Sequence, residues 1–202
     1  MSAHREPNHN NKWDSHYLHH SSESPQACQL LQEFKHLLPA QGRALDLACG
    51  RGGNAILLAS HGLESHAWDS SAQALQQLDS DAQEHQLTIH TQQRDVIASP
   101  PAPESFAVIV VSRFLHRPLC PSLIHALRPG GLLFYQTFTR KRPAGMRGPS
   151  NPDYLLAPGE LAQLFAPLRL RLYREEGDCG DLQQGLRGQA WLIAQQPSDL
   201  DG

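Results

Sequence analysis

Near the start of the chain, Ala44-Leu-Asp46-Leu-Ala48-Cys-Gly50-Arg-Gly52-Gly53-Asn54 stands between a short apolar run and a helical pattern, and no other feature restricts the fold as much. An acid ends the run, small residues make the turn, and a helix opens directly behind them. Glycine reaches the backbone angles of such a turn at little cost, and the turn lets a ligand approach the main chain at a helix N-terminus. A strand feeding a helix in this way is half of a βαβ unit.

The remainder continues the alternation. Ser24-Pro25 starts an entry helix in which Cys28, Leu30, Leu31, Phe34, Leu37 and Leu38 recur at helical spacing until Pro39. The spacing then predicts a strand over 43–47, a helix over 54–61 closed by Gly62, a strand over 64–68, a helix over 71–84 and strands over 86–91 and 106–111. A helix over 121–127 ends at Pro129-Gly130-Gly131, and 132–138 is the next strand. Beyond a stretch rich in Arg, Lys, Gly and Pro (139–152) come a helix over 158–165 and strands over 168–175 and 189–194. No crossover helix separates those last two, so they pair as an antiparallel hairpin at the edge of a mostly parallel sheet. The fold class is α/β, with one domain over 24–196, a loose N-terminal segment 1–23 that can act as a lid, and a tail 197–202.

Composition removes several functions. The 202 residues suffice for one large domain, and 40% apolar content is globular. With 17 basic and 20 acidic residues the net charge is −3, too little positive charge for a long phosphate footprint, so nucleic acid is not the expected partner. No apolar stretch has the length of a signal peptide or a bilayer span, and four scattered cysteines form no CxxC pair. A cytoplasmic protein without a membrane partner, metal or disulfide framework is expected. Five of the twelve histidines lie in the first 23 residues at irregular spacing, which is not a ligand pattern. Trp13 and Tyr17, four apart in that watery stretch, suit a short helical turn closing over an apolar surface or packing on its own domain.

Two cofactor classes fit the turn. Gly50-x-Gly52-x-x-Ala55 can be read as a dinucleotide fingerprint, and Asp69, about twenty residues on, would then accept from the ribose of NAD. Against this, Asp46 lies four residues before Gly50, inside the phosphate site, where a carboxylate repels a pyrophosphate and attracts a cation. S-adenosylmethionine carries an ammonium and a sulfonium. A glycine turn with two incidental acids is the plain alternative, opposed by the coincidence of turn, second acid and strand alternation.

From the DxAxGxG turn to Leu127-Arg-Pro-Gly-Gly131, the chain resembles the class I S-adenosylmethionine-dependent methyltransferases. Gly52-Gly-Asn54-Ala, Trp68-Asp69, Leu155-Leu-Ala-Pro-Gly-Glu160-Leu and Tyr173-Arg-Glu-Glu-Gly177 look like the tellurite-resistance (TehB-like) branch, whereas Ser112-Arg-Phe-Leu-His-Arg-Pro118 departs from it. The resemblance implies a Rossmann-like fold with S-adenosylmethionine as cofactor. It further implies that Asp46, Ala48, Gly50 and Gly52 line the methionine half, Asp69 the ribose, and Asp95 with the Val96 backbone the adenine. Ser112 would touch the amino group through its backbone, and Trp13 and Tyr17 would fold over the cofactor.

Methyl transfer mainly needs alignment in a dry pocket, and alignment alone contributes about 7 to 11 kcal/mol. A general base is required only for an acceptor of high pKa. His116, just past the strand at 106–111, is the candidate base, with Arg113 and Arg117 as candidates for orienting an anionic acceptor. No Asn/Asp-Pro-Pro-aromatic turn follows that strand, which speaks against exocyclic base amines as acceptors. Arg140, Lys141, Arg142 and Arg147 form a basic loop that is either solvated or faces an anion. The expected acceptor is a small molecule, such as a sulfur, selenium or tellurium nucleophile. RNA or protein methylation, a catalytically silent cofactor-binding regulator and, last, an NAD-dependent oxidoreductase remain as alternatives.

Overall fold

The computed structural model describes residues 25–143, 145–146 and 148–198. Trp13, Tyr17, the proposed lid, Arg147 and the end of the tail lie outside the described residues. Seven strands, β1 (Arg43–Leu47), β2 (Glu64–Asp69), β3 (Ile89–Gln93), β4 (Phe106–Ser112), β5 (Leu127–Phe138), β6 (Arg169–Arg174) and β7 (Gln189–Gln195), form one sheet in the order 3-2-1-4-5-7-6. β1 to β5 are parallel, and β7 runs antiparallel between β5 and β6. The expected edge hairpin is therefore present. The helices are α1 (Gln29–Glu33), α2 (Gly53–Ser60), α3 (Ala72–Glu84), α4 (Cys120–Ala126) and α5 (Glu160–Leu164).

Apolar runs become central strands because both faces are covered. Val108 to Val111 of β4 are fully buried, with Ile109 and Val111 in the cluster under α4 and α5, and Val108 and Val110 in the cluster with Leu30 and Leu31 of α1. Strand order reverses between β1 and β4. Ligand crevices in such sheets open at that point, beyond the carboxyl ends of the strands.

Several boundaries differ from the expectation, each for a local reason. The entry segment is extended at Cys28, because its N–H is taken by Asn54 Oδ1 at 2.8 Å, and only 29–33 become α-helical before a 3-10 turn. The third strand begins at Ile89, not Gln86. Gln86 is left-handed (φ 55°) and Leu87 N–H returns to Ala82 O, closing α3 first. β5 begins at Leu127, which pairs with Phe106, and the Pro-Gly-Gly turn is a bulge inside it with a register shift between Phe106 and Val108. The last predicted helix is shortened to 160–164 behind a left-handed Gly159.

Candidate active site

Asp46 is the fourth residue of β1 and only 1% exposed. Its Oδ1 accepts from Asn54 Nδ2 at 3.0 Å and its Oδ2 from Ala55 N–H at 3.1 Å, so the carboxylate caps α2 from the preceding strand. Burial pushes its pKa up to about 7, with the nearby Asp69 adding to the rise, against the opposing pull of those two hydrogen bonds. Asp69 ends β2 and is also buried. Its Oδ2 accepts from Gly50 N–H at 2.8 Å and its Oδ1 from Ser71 N–H at 2.9 Å. Asp69 thus holds the glycine turn at Gly50, and Asp46 holds the first turn of the helix that follows it.

The turn owes its glycines to packing as well as to ligand access. A Cβ on Gly52 (φ 73°) would fall 2.4 Å from a Leu78 methyl of α3, and one on Gly53 would fall 2.3 Å from the Gln26 carbonyl. Ala48 is left-handed too (φ 54°), a conformation that costs a non-glycine residue about 1 kcal/mol or more.

The entry segment lies across the turn. Besides the Cys28–Asn54 bond, Leu30 N–H donates to Gln136 Oε1 of β5 at 2.9 Å, a polar group that sequence spacing does not reveal. The Cys28 thiol, raised to about 11 chiefly by burial, hydrogen-bonds Ser112 at the tip of β4 and feels the charge of Arg113. Arg113 is exposed with φ 56°, an unfavourable conformation at the switch point. Cys28, Asp46, Ser112 and Arg113 therefore meet at the carboxyl ends of β1 and β4.

Beyond β3, Asp95 Oδ1 accepts from the N–H groups of Ile97 and Ala98, and Val96 is buried. Among the described residues the Val96 N–H meets no acceptor, which leaves it available to a ligand. Arg94 lies 4.0 Å over the Trp68 ring and stands beside the same loop.

His116 is half-buried where β4 leads into α4. Its carbonyl accepts from Leu119 N–H, and among the described residues its ring makes no hydrogen bond. Arg117 corrects the expectation of an anion-orienting role. It holds Glu160 with two bonds (2.5 and 3.0 Å) and reaches the carbonyls of Asp153 and Leu155, so its donors fasten the loop before α5. The same pairing keeps the Glu160 carboxyl below its usual range. Two members of the basic loop are engaged as well: Lys141 pairs with Asp178 at 3.0 Å and Arg142 donates to Pro149 O. A cavity of about 330 Å³ opens beside it, lined among others by Lys141, Gly159, Tyr173 and Glu175.

Residues 44–131 match the family model described as a methyltransferase domain. Over that stretch, somewhat under half of its length, the chain is similar to methyltransferase domains. Its fold is that of TehB from Haemophilus influenzae (16% identity, TM-score 0.69, 91% of this chain and 67% of that one) and of the [4+2]-cyclase SpnF (15%, 0.72, 94% and 95%). Geranyl diphosphate C-methyltransferase from Streptomyces coelicolor, solved with Mg²⁺, geranyl diphosphate and S-adenosyl-L-homocysteine, is similar at 13% identity and TM-score 0.65, over 83% of this chain and 79% of that one. No curated protein sequence matches the chain. Among the described residues no helix is long and apolar enough to cross a membrane.

Proposed function

We propose that this methyltransferase domain takes its methyl group from S-adenosylmethionine and delivers it to a small-molecule acceptor. The observation that carries the reading is the pair of buried carboxylates holding a left-handed glycine turn and the helix that follows it at the switch point of the 3-2-1-4-5-7-6 sheet. S-adenosylmethionine supplies an electrophilic methyl on a sulfonium that leaves as a neutral thioether. The chain's residues do the rest. Asp69, which holds the N–H groups of Gly50 and Ser71, also accepts from the ribose hydroxyls. The Val96 N–H donates to the adenine ring and Asp95 accepts from its amine. Asp46, Ala48, Gly50, Gly52 and the Ser112 backbone enclose the methionine half, with Asp46 as the counter-charge to the ammonium. Trp13 and Tyr17 close over the cofactor and exclude water.

Arg113, with its side chain exposed at the tip of β4, orients an anionic acceptor, and His116 receives a proton where the acceptor carries one. A soft sulfur, selenium or tellurium nucleophile suits this site. It needs little base catalysis, and the net charge of −3, with Lys141 of the basic loop paired to Asp178, favours no polymer substrate. The likeness to TehB and to a methyltransferase of a small diphosphate supports this choice of class.

Calorimetry with S-adenosylmethionine, S-adenosylhomocysteine and NAD tests the cofactor: the first two bind, and NAD binding with comparable affinity overturns the reading. Radiolabelled methyl transfer to thiol, selenite, tellurite, hydroxyl, RNA and protein acceptors, with Gly50→Asp as the control, tests turnover. A second reading, a cofactor-binding protein without methyl transfer, is favoured by the weak catalytic endowment after β4 and by the likeness to a cyclase. It prevails if no acceptor exceeds the control.

A further inference from the structure

β3 passes to β4 through residues 94–105 without a helix, and the helices that pack on β2 and β3 are α2 and α3. Both lie on one face. Ser65 Oγ donates to the Ala55 carbonyl of α2, and Ala67 packs with Ala55 and Leu78, so alternation turns Glu64, His66 and Trp68 to the other face. There His66 pairs across the strands with His90, and their rings stack at 4.8 Å between centroids.

His66 Nε2 lies 2.9 Å from Glu64 Oε1, and donor atoms of Glu64, His66 and His90 all lie within 4.8 Å of one another. A tetrahedral zinc ion bonds nitrogen and oxygen at about 2.0 to 2.2 Å and spaces its ligand atoms roughly 3.3 Å apart, a spacing these side chains reach by rotation. Arg43 now fills the place of the cation, its Nε 3.2 Å from His66 Nε2 and 3.2 Å from Glu64 Oε1. It donates to His66 Nε2, so the lone pair of that nitrogen is aimed at the guanidinium, in the place an ion would take. With Nε2 accepting from Arg43, Nε2 and Glu64 Oε1 stand 2.9 Å apart and share that one cation.

We propose that Glu64, His66 and His90 form a second site that binds one divalent transition ion of the zinc type, a water completing the coordination and Arg43 being the resident cation that the ion displaces. Arg43 can leave: its side chain is 38% exposed and Glu64 is 51% exposed. His66, the central ligand, stands three residues before Asp69 on β2, so the site lies about 10 Å along the strand from that carboxylate. The ion would clamp the edge strand β3 to β2.

The test is a titration of the full chain with Zn²⁺, followed by histidine ring resonances in NMR and by the thermal midpoint. The N-terminal histidines can also take up ions, so the readout is specific: the rings of His66 and His90 shift together, and saturation raises the midpoint. His90→Gln and Glu64→Gln, both at exposed positions, weaken this binding by at least about tenfold, the loss that removing even an outer partner of a ligand produces. Arg43→Gln strengthens it. The inference is overturned if millimolar Zn²⁺ moves only other histidines, if His90→Gln and Glu64→Gln leave the affinity of the His66 signal unchanged, or if Arg43→Gln binds no better.

Discussion

Asp46→Asn isolates what one buried carboxyl does. In the native protein this group is pushed up from an ordinary 3.8 to about 7, mainly by burial. A carboxyl raised on folding keeps its proton in the native state while the unfolded chain has lost it. It therefore stabilises fully below about pH 4, and that contribution fades as pH rises to about 7. About three pKa units amount to a fall on the order of 4 kcal/mol across this window. The amide variant has no charge to desolvate, so its stability loses this slope. It also sets an N–H₂ where Asp46 accepts from Asn54 Nδ2 or Ala55 N–H, a mismatch costing about 1 to 3 kcal/mol at every pH. The variant should therefore be the weaker protein near pH 4.5 and match or exceed the native one near pH 8. Urea unfolding at half-unit steps from pH 4.5 to 8, followed by the fluorescence of the buried Trp68 and Trp191, measures both. Other titrating groups cancel in the difference between the two curves. Parallel curves, separated by a constant within about 0.5 kcal/mol, would refute the argument, because Asp46 would then titrate alike in folded and unfolded chains.

Asp69→Ala should weaken S-adenosylhomocysteine binding by about 1.5 to 3 kcal/mol in calorimetry, as a charged acceptor is lost, and unchanged affinity would put the ribose elsewhere. Gly52→Ala, forced against Leu78 at φ 73°, should lower stability by more than about 2 kcal/mol, whereas Ala48→Gly relieves a left-handed alanine and should stay within about 1 kcal/mol of the native protein in the same urea assay. Arg117→Met should cost about 1 to 3 kcal/mol of stability, because it leaves the part-buried Glu160 without its guanidinium partner and with only the Ala157 N–H, without changing acceptor KM by more than about twofold; a selective rise in KM would restore Arg117 to the acceptor site. With a thiol or a chalcogen oxyanion as acceptor, His116→Gln should lower kcat by less than about tenfold, and a loss of a hundredfold or more would make His116 a general base and favour a hydroxyl acceptor.

The architecture was legible where periodicity and burial coincide. Phe106 to Val111 is an apolar run because β4 is covered on both faces, and the absence of a crossover between the last two strands dictates their antiparallel pairing. The glycine turn and its two acids were legible as well. What escaped depends on partners far away in sequence. The extended backbone at Cys28 is chosen by Asn54, 26 positions on, and Arg117 is claimed by Glu160, 43 positions on. Helical spacing at 28–38 and a basic residue beside a site carry no trace of either. Early entry into β5 at Leu127 was hidden behind a Pro-Gly-Gly signal that elsewhere ends strands, yet here makes a bulge.

Asn54 ties these threads to the proposed chemistry. Its oxygen accepts from the Cys28 backbone and its amide donates to Asp46, so the entry segment and the first acid are joined through one side chain. Any charge that settles near Asp46 changes how strongly that amide is held, since a bond to a carboxylate is about twice as strong as one to its protonated form. A bound ammonium favours the ionised carboxyl, which strengthens the Asn54 bond and, through it, the seat of Cys28 over Ser112. Cofactor binding below pH 7 should then release a proton, and calorimetry in buffers of different ionisation heat reads that release directly. Asp46→Asn should abolish it. A proton release of the same size in that variant would place the titrating group elsewhere and separate Asp46 from the cofactor's charge.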